Sequence, residues 1–175
     1  MILGLDISTS ITGYTLIDGD KIILNSAWDT RKYKDFFEKV IHVKAGLDEV
    51  YKQYGGQIKS VYIEQSLQSF RSGFSSAKTL STLSRFNGIV SWIVFDKYKI
   101  KPEYLAATSA RKLCGIKIPR GQKAKAVVLK FLLDNEPAFV LEYTRNGNPK
   151  PECYDKADSM VIAKAGVICE RENSK

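Results

Sequence analysis

"LGLDISTSITGYTLID", residues 3–18, is the stretch on which the reading of this chain turns. Its first residues are apolar and read as a buried strand, yet Asp6 puts a carboxylate at the end of it. An ionised carboxylate in a buried strand is costly unless a positive charge accompanies it. That charge is either a cationic side chain on another strand or a metal ion. A run of small hydroxylated residues, Ser8, Thr9, Ser10 and Thr12, follows at once.

Outward from this stretch, Ile2 to Ile7 reads as a strand apolar on both faces. Gly13 to Ile17 and Lys21 to Asn25 read as the next two strands, with "DGD" at 18–20 as a hairpin turn. Lys32 to Tyr54 reads as a helix, because Phe36, Val40, Val43, Leu47, Val50 and Tyr54 fall on one helical face and Gly55–Gly56 follows. "SVYIEQS" at 60–66 is a short buried strand that ends in a second carboxylate, Glu64. Ser75 to Lys97 predicts a long helix with a small, polar middle at 84–88. "EYLAAT" at 103–108 predicts a fifth strand, Arg111 to Gly115 a helical turn, and Lys123 to Leu133 a basic helix. Residues 134–152 read as a loop, with "AFVLEY" as a brief extended piece, and Asp155 to Arg171 as the last helix. Three antiparallel strands followed by alternating helices and strands predict an α/β domain over residues 1–175. Its expected core is a five-stranded mixed sheet with helices on both faces.

Composition narrows the function classes. Of 175 residues 44% are hydrophobic, enough to bury a core, and 27 Lys and Arg against 19 Asp and Glu give a net charge of +8. Such a balance fits an anionic partner, nucleic acid being the commonest, or simply a soluble basic surface. The longest apolar run, "GIVSWIVF" at 88–95, falls far short of the ~20 residues that cross a bilayer. No membrane association and a soluble, intracellular, cytoplasmic setting are therefore expected. Cys114, Cys153 and Cys169 are scattered without zinc spacing. A Cys–His pair could use only His42, which reads as a core residue in mid-helix.

The acids are the informative feature. Asp6 and Glu64 end strands that can be sheet neighbours, and Asp155 and Asp158 lie three apart in the predicted first turn of the last helix, on one face. Singly, an acid pair there can cap the helix or answer its dipole, and Glu64 can sit in a salt bridge. Four acids gathered at strand ends and a helix start repel one another unless a cation neutralises them. With only oxygen donors on offer, the ion is a hard one such as Mg²⁺ or Mn²⁺. Two such ions ~4 Å apart suit phosphodiester hydrolysis.

Three segments carry a family resemblance. "GLDISTSITGYTLID" resembles the opening motif of the RuvC-type Holliday junction resolvases, with its Asp, short turn and Thr-Gly-Tyr. "VYIEQS" resembles their second motif, and "DKADSMVIAKAG" their last, in the same order along nearly the whole chain. The resemblance implies a ribonuclease-H-like fold in which Asp6, Glu64, Asp155 and Asp158 bind two Mg²⁺ ions per active site, with Mn²⁺ as a substitute. It implies a crossover junction endodeoxyribonuclease that nicks a four-way DNA junction symmetrically. A homodimer is implied too, since paired nicks need two active sites. The chain departs from the bacterial pattern at Ile7–Ser8, where Pro-Gly is common, and at Leu67, where a junction-wedging Phe stands. Phe70 and Phe74 are the alternative wedges, as well as candidates for helix-entry packing. These departures suggest a divergent branch, viral or phage.

Basic residues extend the candidate DNA surface. Arg111, Lys112, Arg120, Lys123 and Lys125 flank a Gly-containing loop and a helix start, a place suited to phosphates, and Arg71 joins them as a candidate arm contact. Arg111 or Lys112 resembles the family's first conserved Lys; Lys125, or Lys123, resembles the second, which would stabilise charge on the scissile phosphate. Three other functions fit parts of the pattern. A broader fork and flap nuclease would share the acids. An actin-like phosphotransferase shares "DISTS" but needs a second domain and a Gly-rich phosphate motif. A non-catalytic DNA-binding module would gain nothing from clustered acids.

Overall fold

The structure, a computed structural model, describes residues 1–65 and 77–173. The chain opens with a meander: β1 (Ile2–Asp6), β2 (Ile11–Asp18) and β3 (Lys21–Asp29). The helix α1 (Phe36–Tyr54), strand β4 (Ser60–Glu64), helix α2 (Ala77–Tyr98) and strand β5 (Glu103–Leu105) follow. Three helices close the chain: α3 (Ala107–Leu113), α4 (Ala124–Asn135) and α5 (Glu152–Asn173). The sheet order is β3-β2-β1-β4-β5, antiparallel in the meander and parallel for β1–β4 and β4–β5. This is the mixed five-stranded sheet that the sequence predicts.

Several boundaries differ from expectation for local reasons. The first helix begins at Phe36 because Asp35 caps it, its Oδ1 accepting from the amides of Phe37 at 2.8 Å and Glu38 at 3.1 Å. β5 stops at Leu105 because its partner β4 ends at Glu64, and the alanine-rich segment beyond it forms α3. "AFVLEY" forms no strand; Tyr143 makes only an isolated bridge with Pro149. The last helix starts three residues early, at Glu152, so Asp155 lies in its first turn and Asp158 one turn further on. The helix dipole therefore favours Asp155 and does little for Asp158. His42 is half-buried rather than in the core, its Nδ1 lying 3.4 Å from the Tyr33 hydroxyl.

Strand alternation divides the interior in two. Leu3 and Leu5 of β1, Leu16 of β2, and Val61 and Ile63 of β4 point to one face of the sheet, where α1 and α2 bury Val43, Leu47, Phe86, Val90 and Val94 against them. Tyr62 and Ile17 point to the other face and are covered by α5, which α3 and α4 back from outside. Asp6 and Glu64 share the parity of Gly4 and Tyr62, so both face α5.

Candidate active site

The approach of α5 to the sheet is set by residues that lack side chains. A Cβ added at Gly4 would stand 2.6 Å from the Ala163 Cβ, and one at Gly13 would overlap the carbonyl group of Asp155. Gly13, Thr15 and Ile17 form one face of β2, with Asp155, Ser159 and Ala163 opposite them. The backbone of the α5 first turn thus rests directly on β2, beside the end of β1.

β1 and β4 are parallel neighbours in register up to Leu5–Ile63, so Asp6 and Glu64 stand side by side at their ends. Both are half-buried, as are Asp155 and Asp158. All four carboxyls are raised above their ordinary values. For Asp6 burial is the main cause, followed by the charges of Glu64, Asp158 and Asp155. Burial, then Asp158, pushes Glu64 up to about 7. Burial also raises Asp155 to about 6, and it lifts Asp158 against the pull of Lys125 and Arg111.

Two cations meet this group. Lys125 Nζ of α4 lies 3.8 Å from Asp158 Oδ2, and its own pKa is raised by the acids despite desolvation. Arg111 of α3 acts electrostatically on Glu64 and Asp158. Arg111 and Lys112 also line an open groove of about 370 Å³ with Lys117, Thr108 and Gly115. Lys112, Arg120 and Lys123 are exposed on α3, on the loop after it and at the start of α4. Phe70, Arg71 and Phe74 lie outside the described residues.

The donor set suits a hard divalent ion: carboxylate oxygens only, in a group whose mutual repulsion a cation would relieve. The acids feel one another's charge, yet among the described residues no three such side chains close on a single point. The geometry is an open arrangement of donors on three converging elements.

The fold has counterparts among solved structures. The chain is similar to Thermus thermophilus RuvC in complex with a Holliday junction substrate, with a TM-score of 0.67 at 13% identity, covering 99% of this chain and 96% of that one. It matches a second Thermus thermophilus RuvC structure at 0.62 and 16% identity, covering 98% and 96% of the two chains. The fold is that of the RuvC-type resolvases. The yeast mitochondrial Holliday junction resolvase Ydc2 matches at 0.63 and 16% identity, covering 99% of this chain and 80% of that one. No family model and no curated sequence matches the chain. What the RuvC-type fold shares across such distant sequences is the ribonuclease-H-like layout.

Some neighbours of the site escape a reading by motif. Arg31, just past β3, grips Asp29 at 2.6 Å and reaches Glu152 in the first turn of α5 at 3.3 Å. Ser8 Oγ accepts from the amides of Ser10 and Ile11 and donates to the Ile11 carbonyl, which explains the hydroxylated run as a tight β1–β2 turn. Lys39 of α1 and Thr30 hold that turn through the Thr9 carbonyl, at 2.7 and 2.8 Å. None of these residues has a spacing signature, because each meets its partner only through the fold.

Proposed function

We propose that this chain is a metal-dependent endonuclease that resolves four-way DNA junctions by paired symmetric nicks. The observation that carries the reading is the pairing of two strand-end carboxylates, Asp6 and Glu64, with two helix carboxylates, Asp155 and Asp158, in a basic chain of RuvC-type fold. A solved relative of that fold holds a Holliday junction, which favours the junction over other DNA.

In this reading Asp6, Glu64, Asp155 and Asp158 hold two Mg²⁺ ions, with Mn²⁺ able to substitute. Bound ions would polarise the scissile phosphate and lower the pKa of the attacking water. The chain's own groups do the rest. Lys125, beside Asp158, is placed to offset charge on the phosphate. Arg111 and Lys112, with Arg120 and Lys123 beyond them, contact the DNA backbone, so binding weakens steeply with salt. Without ions, the carboxylates reduce their repulsion by taking up protons.

Paired nicks call for a homodimer. Supporting this, α1 and α2 leave a groove of about 630 Å³ lined by Phe36, Arg85, Gly88 and Ile89. Trp92 and Phe37 also line it and stand 63% and 65% exposed. An exposed apolar patch of this kind suits a two-fold self-contact. Within the described residues no helix is long and apolar enough to cross a membrane.

The test is cleavage of a synthetic four-way junction in Mg²⁺, beside a duplex, a fork and a flap, by wild type and Asp6→Asn. Symmetric nicks in the junction, reduced in Asp6→Asn by more than the roughly 100-fold that loss of an outer-shell partner costs, are expected. Equal cutting of forks and flaps would make the protein a general branched-DNA nuclease. Unchanged cutting by Asp6→Asn would overturn the site.

A further inference from the structure

A closed ring of hydrogen bonds ties the sheet to the carboxylate-bearing turns of α5. Asn25 of β3 donates through Nδ2 to Thr15 Oγ1 at 2.8 Å and to the Lys156 carbonyl at 2.9 Å. Ser159 Oγ donates to the same carbonyl at 2.9 Å. With its proton so committed, Ser159 must accept from Thr15, whose Oγ1 lies 2.9 Å away. Every donor in the ring is used, and Thr15 and Ser159 are fully buried. The ring closes on Lys156, between Asp155 and Asp158, and Ser159 is the next residue after Asp158.

We propose that Asn25, Thr15 and Ser159 are positioning residues, which fix where α5 presents Asp155 and Asp158 to Asp6. The proposal rests on the metal-dependent nuclease reading above. The physical argument is one of direction. The close contacts at Gly4, Gly13 and Gly166 set how near α5 lies to the sheet, but they carry no directional bond. Apolar contacts such as Ile17 with Ala163 and Val167 are equally permissive. Hydrogen bonds are directional, and a ring with four vertices on β2, β3 and α5 has one geometry that satisfies it. A helix rotation would carry Asp155 and Asp158 away from Asp6, and the ring opposes it with bonds that are satisfied in one orientation.

The test compares wild type, Thr15→Val, Asn25→Leu, Asn25→Ala and Thr15→Ser with Tyr98→Phe. The last removes a buried hydrogen bond to the Leu47 carbonyl on the opposite layer, so it reports the effect of lost stability alone. Mn²⁺ binding to the DNA-free protein is measured by the loss of the free-ion paramagnetic resonance signal. Junction affinity in EDTA, cleavage rate and melting temperature are measured alongside. Thr15→Val and Asn25→Leu are expected to weaken Mn²⁺ binding and slow cleavage by about 10-fold or more, the scale of outer-shell substitutions at metal sites. Their junction affinity in EDTA stays at the wild-type level, Thr15→Ser restores metal binding, and Tyr98→Phe changes neither. Asn25 is only half-buried, so Asn25→Ala supplies a folded ring-breaking variant should Thr15→Val fail to fold. Wild-type Mn²⁺ binding in the ring-breaking variants, or an equal effect in Tyr98→Phe, would overturn the positioning role alone. A wild type that neither binds Mn²⁺ nor cuts DNA would overturn the nuclease reading and the proposal with it.

Discussion

One face of the sheet is filled with long apolar side chains, and the other meets α5 partly through glycines and small side chains, between Tyr62 and Ile17. On the first, Leu3, Leu5, Val61 and Ile63 interdigitate with Val43, Leu47, Phe86 and Val90, and burial of apolar area supplies the stability. On the second, Gly4, Gly13, Thr15, Ser159, Ala163 and Gly166 replace bulk with closeness, and hydrogen bonds replace part of the apolar contact. All four candidate ligands face this second layer. The difference teaches how a small protein can separate two demands. A layer packed by volume accepts relaxation around a substitution, whereas a layer packed by backbone contact transmits any added atom to the helix that carries the site.

The sharpest way to break the comparison is to substitute on both faces. Gly13→Val should be the most damaging, because its side chain would occupy the space of the Asp155 carbonyl. Overpacking of this kind costs on the order of 1–3 kcal/mol or more, and any folded protein should have lost cleavage as α5 moves. Leu47→Ala should cost a comparable ~2–5 kcal/mol, yet its folded fraction should cut DNA at the wild-type rate. Chemical denaturation paired with active-fraction kinetics reads both. Equal loss of specific activity in the two variants would erase the distinction between the layers.

A smaller effect is expected from pH, and it should come from the α5 face alone. Each of the four carboxyls has a folded-state pKa above its unfolded one, so the folded protein binds more protons between the two values. Their contribution to stability is complete below the ordinary carboxylate range and is lost as pH rises through about 6 for Asp155 and about 7 for Glu64. Metal-free protein should therefore melt lower at pH 8 than at pH 5, at roughly 2–4 °C per kcal/mol for a domain of this size. Mg²⁺ should restore the loss at pH 8, and Glu64→Gln should flatten the pH dependence. Thermal melts across pH with and without Mg²⁺ check this; a metal-free melt that rises from pH 5 to pH 8 would contradict the raised values.

The weakest contrast lies in the surface ion pairs. Arg31 clamps Asp29 and Glu152 on the α5 side, while Lys44 and Lys97 share Asp48 on the other. Exposed pairs contribute ~0–1 kcal/mol, so Arg31→Ala and Lys97→Ala should each shift denaturation only slightly. Arg31→Ala alone should also lower the cleavage rate modestly, because Glu152 opens the helix that bears Asp155.

The candidate acids were legible because chemistry puts them where burial forbids a bare charge. Asp6 and Glu64 each close an apolar strand, and a three-residue spacing sets Asp155 and Asp158 on one helical face. Asn25, Thr15 and Ser159 were not legible, since a small polar residue in a strand or helix reads as solvent-facing until its partner is known. The same holds for Arg31 and Lys39, whose partners lie 121 and 30 residues away.

By itself, then, the sequence determined most element types, the α1 stripe, the charge and which acids stand as candidates. Periodicity, propensity and composition are local properties, and they survive without knowing what packs on what. Only the tertiary structure decided that α5 crosses β2 at Gly13, that its start falls at Glu152, and that a polar ring locks it there. Those outcomes depend on contacts between residues more than a hundred positions apart, and no local pattern encodes the distance between two backbones.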